Sequence, residues 1–387
     1  MNPQHLSHNL HRLRLAKGLS QDELAQAAGI SRVAYVNIER QKTEPKAQTV
    51  RALAHALQVR IPDLLAEATV LKRVRFRSTR RLKGREQVLV EVGRRLQDFA
   101  QLEGLLDAHS TKDFGALRKV ASRHRRHGTA AVASAIRQHF ELSESEPVYD
   151  ICGLLENEGV KVLSLNMATD AFLGLSVAED DGGPAIVVNT WSRLPVEHWI
   201  FSAAHELGHL LLHLQAYQVE EHVHDREQER EADEFASHFL MPDAVFKREW
   251  ADTIGLPLFD RVLKVKRVFR VSWRTVIYRV AQSLPNANQR THLWTQFVTA
   301  YRTYNSKVQL GLDEPAGVSA QIYRGLSDWH KAGPEPAGMD CHDFQGDRLW
   351  RLVRQAVLQQ DITMARGAEI LGIGIKEMRG LVQSWAS

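Results

Sequence analysis

The chain has 387 residues, of which 44% are hydrophobic and 25% charged, and a formal net charge of +4. That length exceeds one small core and points to two or three domains, and the charge excludes a strong polycation. Two cysteines, Cys152 and Cys341, stand far apart and exclude a disulfide framework or a cysteine-based metal site, as suits a reducing compartment. No apolar run approaches the ~20 residues needed to cross a bilayer, and the first residues lack a signal peptide's apolar stretch. A cytoplasmic protein without membrane association is expected.

The periodicity predicts a mainly α protein with a small β-sheet, an α+β chain in four segments. These are a five-helix N-terminal unit (1–67), a basic helical linker (68–144), a domain with the sheet (145–285) and a helical C-terminal region (286–387). In the first, Leu6, Leu10, Leu13 and Leu15 form a helical stripe that Lys17-Gly18 interrupts. Ser20 with Glu23 reads as a capping box opening a second helix, and Gly29 supplies a turn that needs positive φ. Ser31 caps a third helix and Thr49 is expected to cap a fourth. Two capped helices about a tight glycine turn, inside a bundle, are a helix-turn-helix pattern.

The run SQDELAQAAGISRVAYVNIERQK resembles the phage-repressor (XRE) type of helix-turn-helix over about sixty residues. The resemblance implies that the helix from Ser31 to Arg40 enters the major groove of a double-stranded DNA operator. Arg32, Val33 and Asn37 would then face base edges, Gln21 would meet a phosphate, and Ser31 would stand at the helix mouth. Arg and Asn suit such contacts because they bond guanine and adenine bidentately. Arg14 and Glu39 match a structural pair of that family, and a homodimer reading two half-sites is expected. The alternative is a helical interaction module of the same shape that does not bind DNA.

Residues 71–85 hold eight Lys or Arg and no acid, and Arg118, Lys119, Arg123, Arg125 and Arg126 form a second basic cluster. Either is a solvated surface or an extension of phosphate contacts, and the sequence leaves both open. A helix is expected over 86–108.

From Tyr149 onward a helix (151–158) is followed by strand-like runs at 160–165, 172–177 and 185–189, with Asp181-Gly182-Gly183 as a turn. A long helical pattern, 196–214, then contains His205-Glu206-Leu207-Gly208-His209. Residues four apart share a helix face, so His205 and His209 can hold one ion, and Glu206 beside them can act as general base toward a water held there. A catalytic zinc needs a third protein ligand. Position 215 is Gln, which excludes a third His six residues on. Glu229, with Ala232 and Asp233 after it, matches the pattern of a Glu ligand, and Asp233 is placed to fix a ligand imidazole's tautomer. Glu231 is the rival ligand. His213 is expected in packing or behind the ligands, and Glu220, Glu221, His222, His224 and Asp225 read as a solvated loop. Tyr217, His222, His224 and His238 are candidate donors to a tetrahedral oxyanion, unranked.

HELGHLLLH followed by EREADEFASHFLMP resembles the ImmA/IrrE family of metallopeptidases across about 145–285, including FRVS at 269–272. The resemblance implies a thermolysin-like Zn2+ site with His205, His209 and Glu229 as ligands and Glu206 as base. It implies a protein substrate, an XRE-type repressor cut in cis or in trans, after a stress or DNA signal, with single-stranded DNA as one candidate activator. The rival is a non-proteolytic, antitoxin-like repressor whose zincin fold is a scaffold or sensor; a third reading keeps the peptidase and gives the N-terminal unit to protein docking.

In the C-terminal region, helices are expected at 293–301, 322–329 and 349–358. A helix–Gly–helix cadence recurs at 365–382, and a similar cadence at 265–280; packing units are favoured for both over further DNA readers.

Overall fold

The computed structural model describes residues 3–57, 59, 61–65, 71–78, 85–143, 145–217, 225–304, 314–315 and 339–385. It divides into two compact units: Met1–Lys72 with Arg81–His109 and Leu352–Ser387, and Arg73–Arg80 with Ser110–Arg351. Helices predominate and one four-stranded sheet accompanies them, so the chain is mainly α with a small sheet.

In the first unit, α1 (Pro3–Ala16), α2 (Gln21–Ala27), α3 (Arg32–Glu39), α4 (Ala47–Ala56) and α5 (Ile61–Leu65) form the five-helix bundle. Leu6, Leu10, Leu24, Tyr35, Val50, Leu53 and Leu64 fill its core. The Ser20–Glu23 capping box is present, and Gly29 takes φ 66° in the turn. α4 starts earlier than expected, with Lys46 at its N-cap and no side-chain cap. Ala47 and Gln48 propagate a helix readily once the chain leaves Pro45, so Thr49 falls inside the first turn. α6 (Arg85–Leu105) belongs to this unit and buries Val88, Val92, Leu96, Phe99 and Leu102. So do most of α16 (Arg348–Leu358) and all of α17 (Met364–Leu371) and α18 (Ile375–Trp385). Buried Asp98 on α6 accepts from Arg366 on α17 and from Arg94 at 2.5 and 2.8 Å, tying the C-terminal helices to α6.

The second unit contains β1 (Val74–Ser78), β2 (Lys161–Leu165), β3 (Phe172–Val177) and β4 (Ala185–Asn189) in the order β1-β3-β4-β2. β2 and β4 are parallel, and the other pairings are antiparallel. α7 (Phe114–His124), α8 (Thr129–His139), α9 (Ile151–Asn157), α10 (Val196–Leu212) and α11 (Arg226–Leu240) share one core with the sheet. α10 is apolar nearly all round, and almost every residue is buried, as expected of a central helix. α12 (Asp243–Ala251), α13 (Leu258–Phe269), α14 (Trp273–Gln282) and α15 (Ala287–Tyr304) complete it.

The expected basic linker is therefore not one segment of structure. β1 hydrogen-bonds to β3 of the second unit, α6 packs in the first, and α7 and α8 return to the second. Each goes where its apolar face is covered: Leu117 and Ala121 on α7, Val132 and Ile136 on α8. The expected helix at 322–329 and the residues Glu220, Glu221, His222 and His224 lie outside the described residues.

Candidate functional site

α10 and α11 pack side by side and bring His205, His209 and Glu229 together, their ligand atoms all within 4.8 Å of one another. The two Nε2 atoms stand 2.9 Å apart. Glu229 approaches them at 3.3 and 3.4 Å.

Their neighbours assign the protons. His205 Nδ1–H donates to Asp233 at 2.8 Å, which leaves a lone pair on Nε2. His213 Nε2–H donates to Glu231 at 2.7 Å, so its Nδ1 is the acceptor for His209 Nδ1–H at 2.9 Å. The Nε2 of His209 then also carries a lone pair. With both imidazoles neutral, two buried lone pairs face the Glu229 carboxylate, which also accepts from Arg75, an arrangement that a divalent cation would bridge. The residues fit a divalent metal.

Glu206 is fully buried one residue on. Its Oε2 accepts from Ser176 at 2.6 Å, and Ser176 in turn meets the Tyr217 hydroxyl at 2.7 Å. Its Oε1 has no hydrogen-bond partner among the described residues. Burial pushes the Glu206 carboxyl up to about 7 against the pull of His205 and Ser176. Gly174 makes this close packing possible: a Cβ there would meet Val187 O at 3.0 Å and Glu206 at 3.5 Å.

The arginines of β1 were not foreseen at this site. Alternation places Arg75 and Arg77 on one strand face, opposite Ser176 and Gly174 of β3. Arg75 is buried and donates to Glu229 at 2.9 Å and to Gln228. Arg77 donates to Ser202 at 2.6 Å and lies 3.7 Å from Asp233. This stretch of the basic run is neither a solvated face nor a phosphate contact; it neutralises the carboxylates around the imidazoles. Strict alternation of Arg with Val74 and Phe76 was the signal available in the sequence.

Glu231, the rival ligand, bonds His213 and lies 3.4 Å from Arg125, so Glu229 is the carboxylate that joins the imidazoles. Asp225 caps α11. His238 is engaged by Arg279 at 2.6 Å and Asp243 at 3.0 Å, bordering a separate 200 Å³ cavity. A larger cavity of about 460 Å³ opens beside Asp233 and Arg77, lined also by Leu173, His198, Phe201 and Trp294.

In the N-terminal bundle, Val33 is 70% exposed and Arg32 is exposed beside it at the start of α3, with Asn37 half-buried. Ser31 accepts from Ala34 N at 3.2 Å as the N-cap. Gln21 donates its amide to Glu39. Glu39 also receives Arg14 at 3.0 Å and Tyr35 at 3.1 Å.

A helix-turn-helix pair in one unit and a cluster of two histidines and one glutamate in the other are the features of a regulator joined to a metallopeptidase fold. Residues 155–281 match the family model described as the IrrE N-terminal-like domain of a peptidase family, and residues 10–64 match that described as helix-turn-helix. No curated protein matches the chain. The chain carries an XRE-type helix-turn-helix domain fused to an ImmA/IrrE-like peptidase domain. No helix among the described residues is long and apolar enough to cross a membrane.

Proposed function

We propose that this protein is a transcriptional regulator whose second unit is a zinc-dependent endopeptidase that cuts a repressor, itself or a partner, under a stress or DNA signal. The observation that carries the reading is the convergence of His205 Nε2, His209 Nε2 and the Glu229 carboxylate, with Glu206 beside them holding an oxygen without a partner among the described residues. Zinc bound there supplies a Lewis acid that polarises a peptide carbonyl and lowers the pKa of water toward neutrality.

The chain's own residues do the rest. Glu206 Oε1 takes a proton from the attacking water and delivers it to the leaving amine as the C–N bond breaks. Ser176, fixed by Tyr217, holds the other carboxylate oxygen and so orients the base. Asp233 and the His213–Glu231 pair keep the ligand imidazoles in the metal-binding tautomer. The 460 Å³ cavity, where Leu173, Leu194, Phe201 and Trp294 stand among charged and hydroxyl side chains, receives a substrate side chain. Arg32, Val33 and Asn37 read an operator in duplex DNA, with Gln21 and Ser31 at the helix mouths, and the protein acts as a dimer on two half-sites.

The test is to purify the full chain, measure its metal content and incubate it with an XRE-type repressor, with and without single- or double-stranded DNA. Mass spectrometry should find a new fragment that a chelator prevents. A metal-loaded chain that cuts neither itself nor the repressor in any of these conditions would instead favour a scaffold or sensor.

A further inference from the structure

The cadence of the N-terminal helix pair recurs at the C-terminal end of the same unit with a constant offset of 343 positions. Thr363 caps α17 as Ser20 caps α2: Arg366 N donates to Thr363 Oγ1 at 3.2 Å, and Glu23 N to Ser20 Oγ at 3.2 Å. Gly372 ends α17 at φ 70°, where Gly29 follows α2 at φ 66°. Ile373 N reaches Ala368 O at 3.0 Å, as Ile30 N reaches Ala25 O at 3.0 Å. In the second helix Met378 is fully buried where Tyr35 is fully buried. Both second helices are anchored at the matching position, although α3 also buries Ile38 where α18 has half-buried Leu381. Close packing supports the pair: a Cβ on Gly367 would meet Met378, Val357 and Val353 at 2.8 to 3.1 Å.

The helix pair α13–α14 is an internal control. It has the same turn, with Arg270 at φ 57°, Val271 N bonded to Lys266 O at 3.1 Å, and Ser272 as the cap. Yet α14 buries Trp273, Thr275, Val276, Ile277, Arg279, Val280 and Ala281, leaving only the narrow stripe of Arg274, Tyr278 and Gln282 uncovered. α18 is the opposite case. Met378 is its one buried residue; Ile375, Lys376, Arg379 and Gln383 are exposed, and a Cβ on Gly380 would meet nothing within 4 Å. Gly380 stands where Asn37 stands in α3. Glu377 is the single acid of α18, against Lys376 and Arg379, and α16 adds exposed Arg354.

We propose that α17 and α18 form a second DNA-reading unit, with α18 presented to duplex DNA. This inference rests on the reading of α2–α3 as a DNA-binding pair. A chain with two readers in one unit covers a longer operator, or a longer half-site in each copy of a dimer.

The experiment uses the full chain and duplexes selected by it from a random-sequence library, with affinity, footprint and salt dependence measured. Lys376→Glu with Arg379→Glu should weaken binding at least about tenfold at 0.1 M salt and reduce the log–log salt slope by about two. The footprint should shorten at one end. Gly380→Glu, placed in open space, should weaken binding independently while leaving the melting temperature unchanged. Arg32→Ala with Asn37→Ala is the comparison for the first reader. If that variant loses binding while both α18 variants keep wild-type affinity, footprint and slope, the second reader is overturned and the first stands. A wild-type chain that retains no duplex overturns both.

Discussion

Two acidic residues, each facing a buried arginine, one in each unit, have opposite accounts. Glu39 of the helix-turn-helix bundle faces Arg14, Tyr35, His11 and Gln21, all of which can donate to it. Glu229 receives Arg75, but its other neighbours are the Nε2 atoms of His205 and His209. Nearby Glu206 leaves one oxygen without a hydrogen-bond partner among the described residues. Glu39 is answered by donors and holds a fold together; the Nε2 atoms, Glu229 and Glu206 turn acceptor atoms to one another, as a site for a cation would.

The largest expected effect lies on the unsatisfied side. Glu206→Gln should retain zinc but lose about 10²- to 10⁴-fold of the peptide-cleavage rate, because the ligands remain while the proton acceptor is gone. Metal analysis and a cleavage assay on the same preparation check this, and cutting at the wild-type rate would remove Glu206 from the mechanism.

On the satisfied side, Glu39→Gln strips the charge from a side chain only 5% exposed and strands Arg14. The cost should be about 3 kcal/mol, read as faster hydrogen exchange across α1–α5 with cleavage unaffected. The pH dependence sharpens the contrast. Burial alone would raise the Glu39 carboxyl, but the bonds from His11, Gln21 and Arg14 outweigh it and hold it down at about 2. Because the folded value lies below the unfolded one, this stabilisation is fully present above about pH 4.5 and is lost as pH falls toward 2. Protection of α1–α5 should decline over that window in the wild type, and more weakly in Glu39→Gln.

A smaller effect tests the tautomer relay. His213→Leu should lower zinc affinity about 10- to 100-fold, since His209 loses the acceptor that keeps its Nε2 free. Competition with a chelating dye measures it; unaltered affinity would reduce His213 to packing. Smallest of all, Ser31→Ala should cost the bundle about 1 kcal/mol through the lost N-cap bond to Ala34.

Local rules account for what could be read early. The spacing of His205 and His209 on one helix, the Ser20–Glu23 capping box and the Gly29 turn each involve residues within a few positions, and periodicity reveals such relations. Asp225 as a cap and Thr49 as an interior residue differ only in where a helix begins, a boundary that propensity decides weakly.

The amino-acid order by itself determined that the chain is mainly helical with a few strands, that it opens with a helix-turn-helix, and that two imidazoles share one helix face. It left Glu229 and Glu231 as rivals, and β1 unrecognised within a basic run. Only the packing of α11 on α10 turned Glu229 to the imidazoles and Glu231 to His213 and Arg125. Only strand pairing over about a hundred residues carried Arg75 and Arg77 to the centre. The reason is one of range. Hydrogen bonds within a helix turn recur at fixed small intervals, whereas contacts between distant segments depend on which faces remain to be covered once each element has formed.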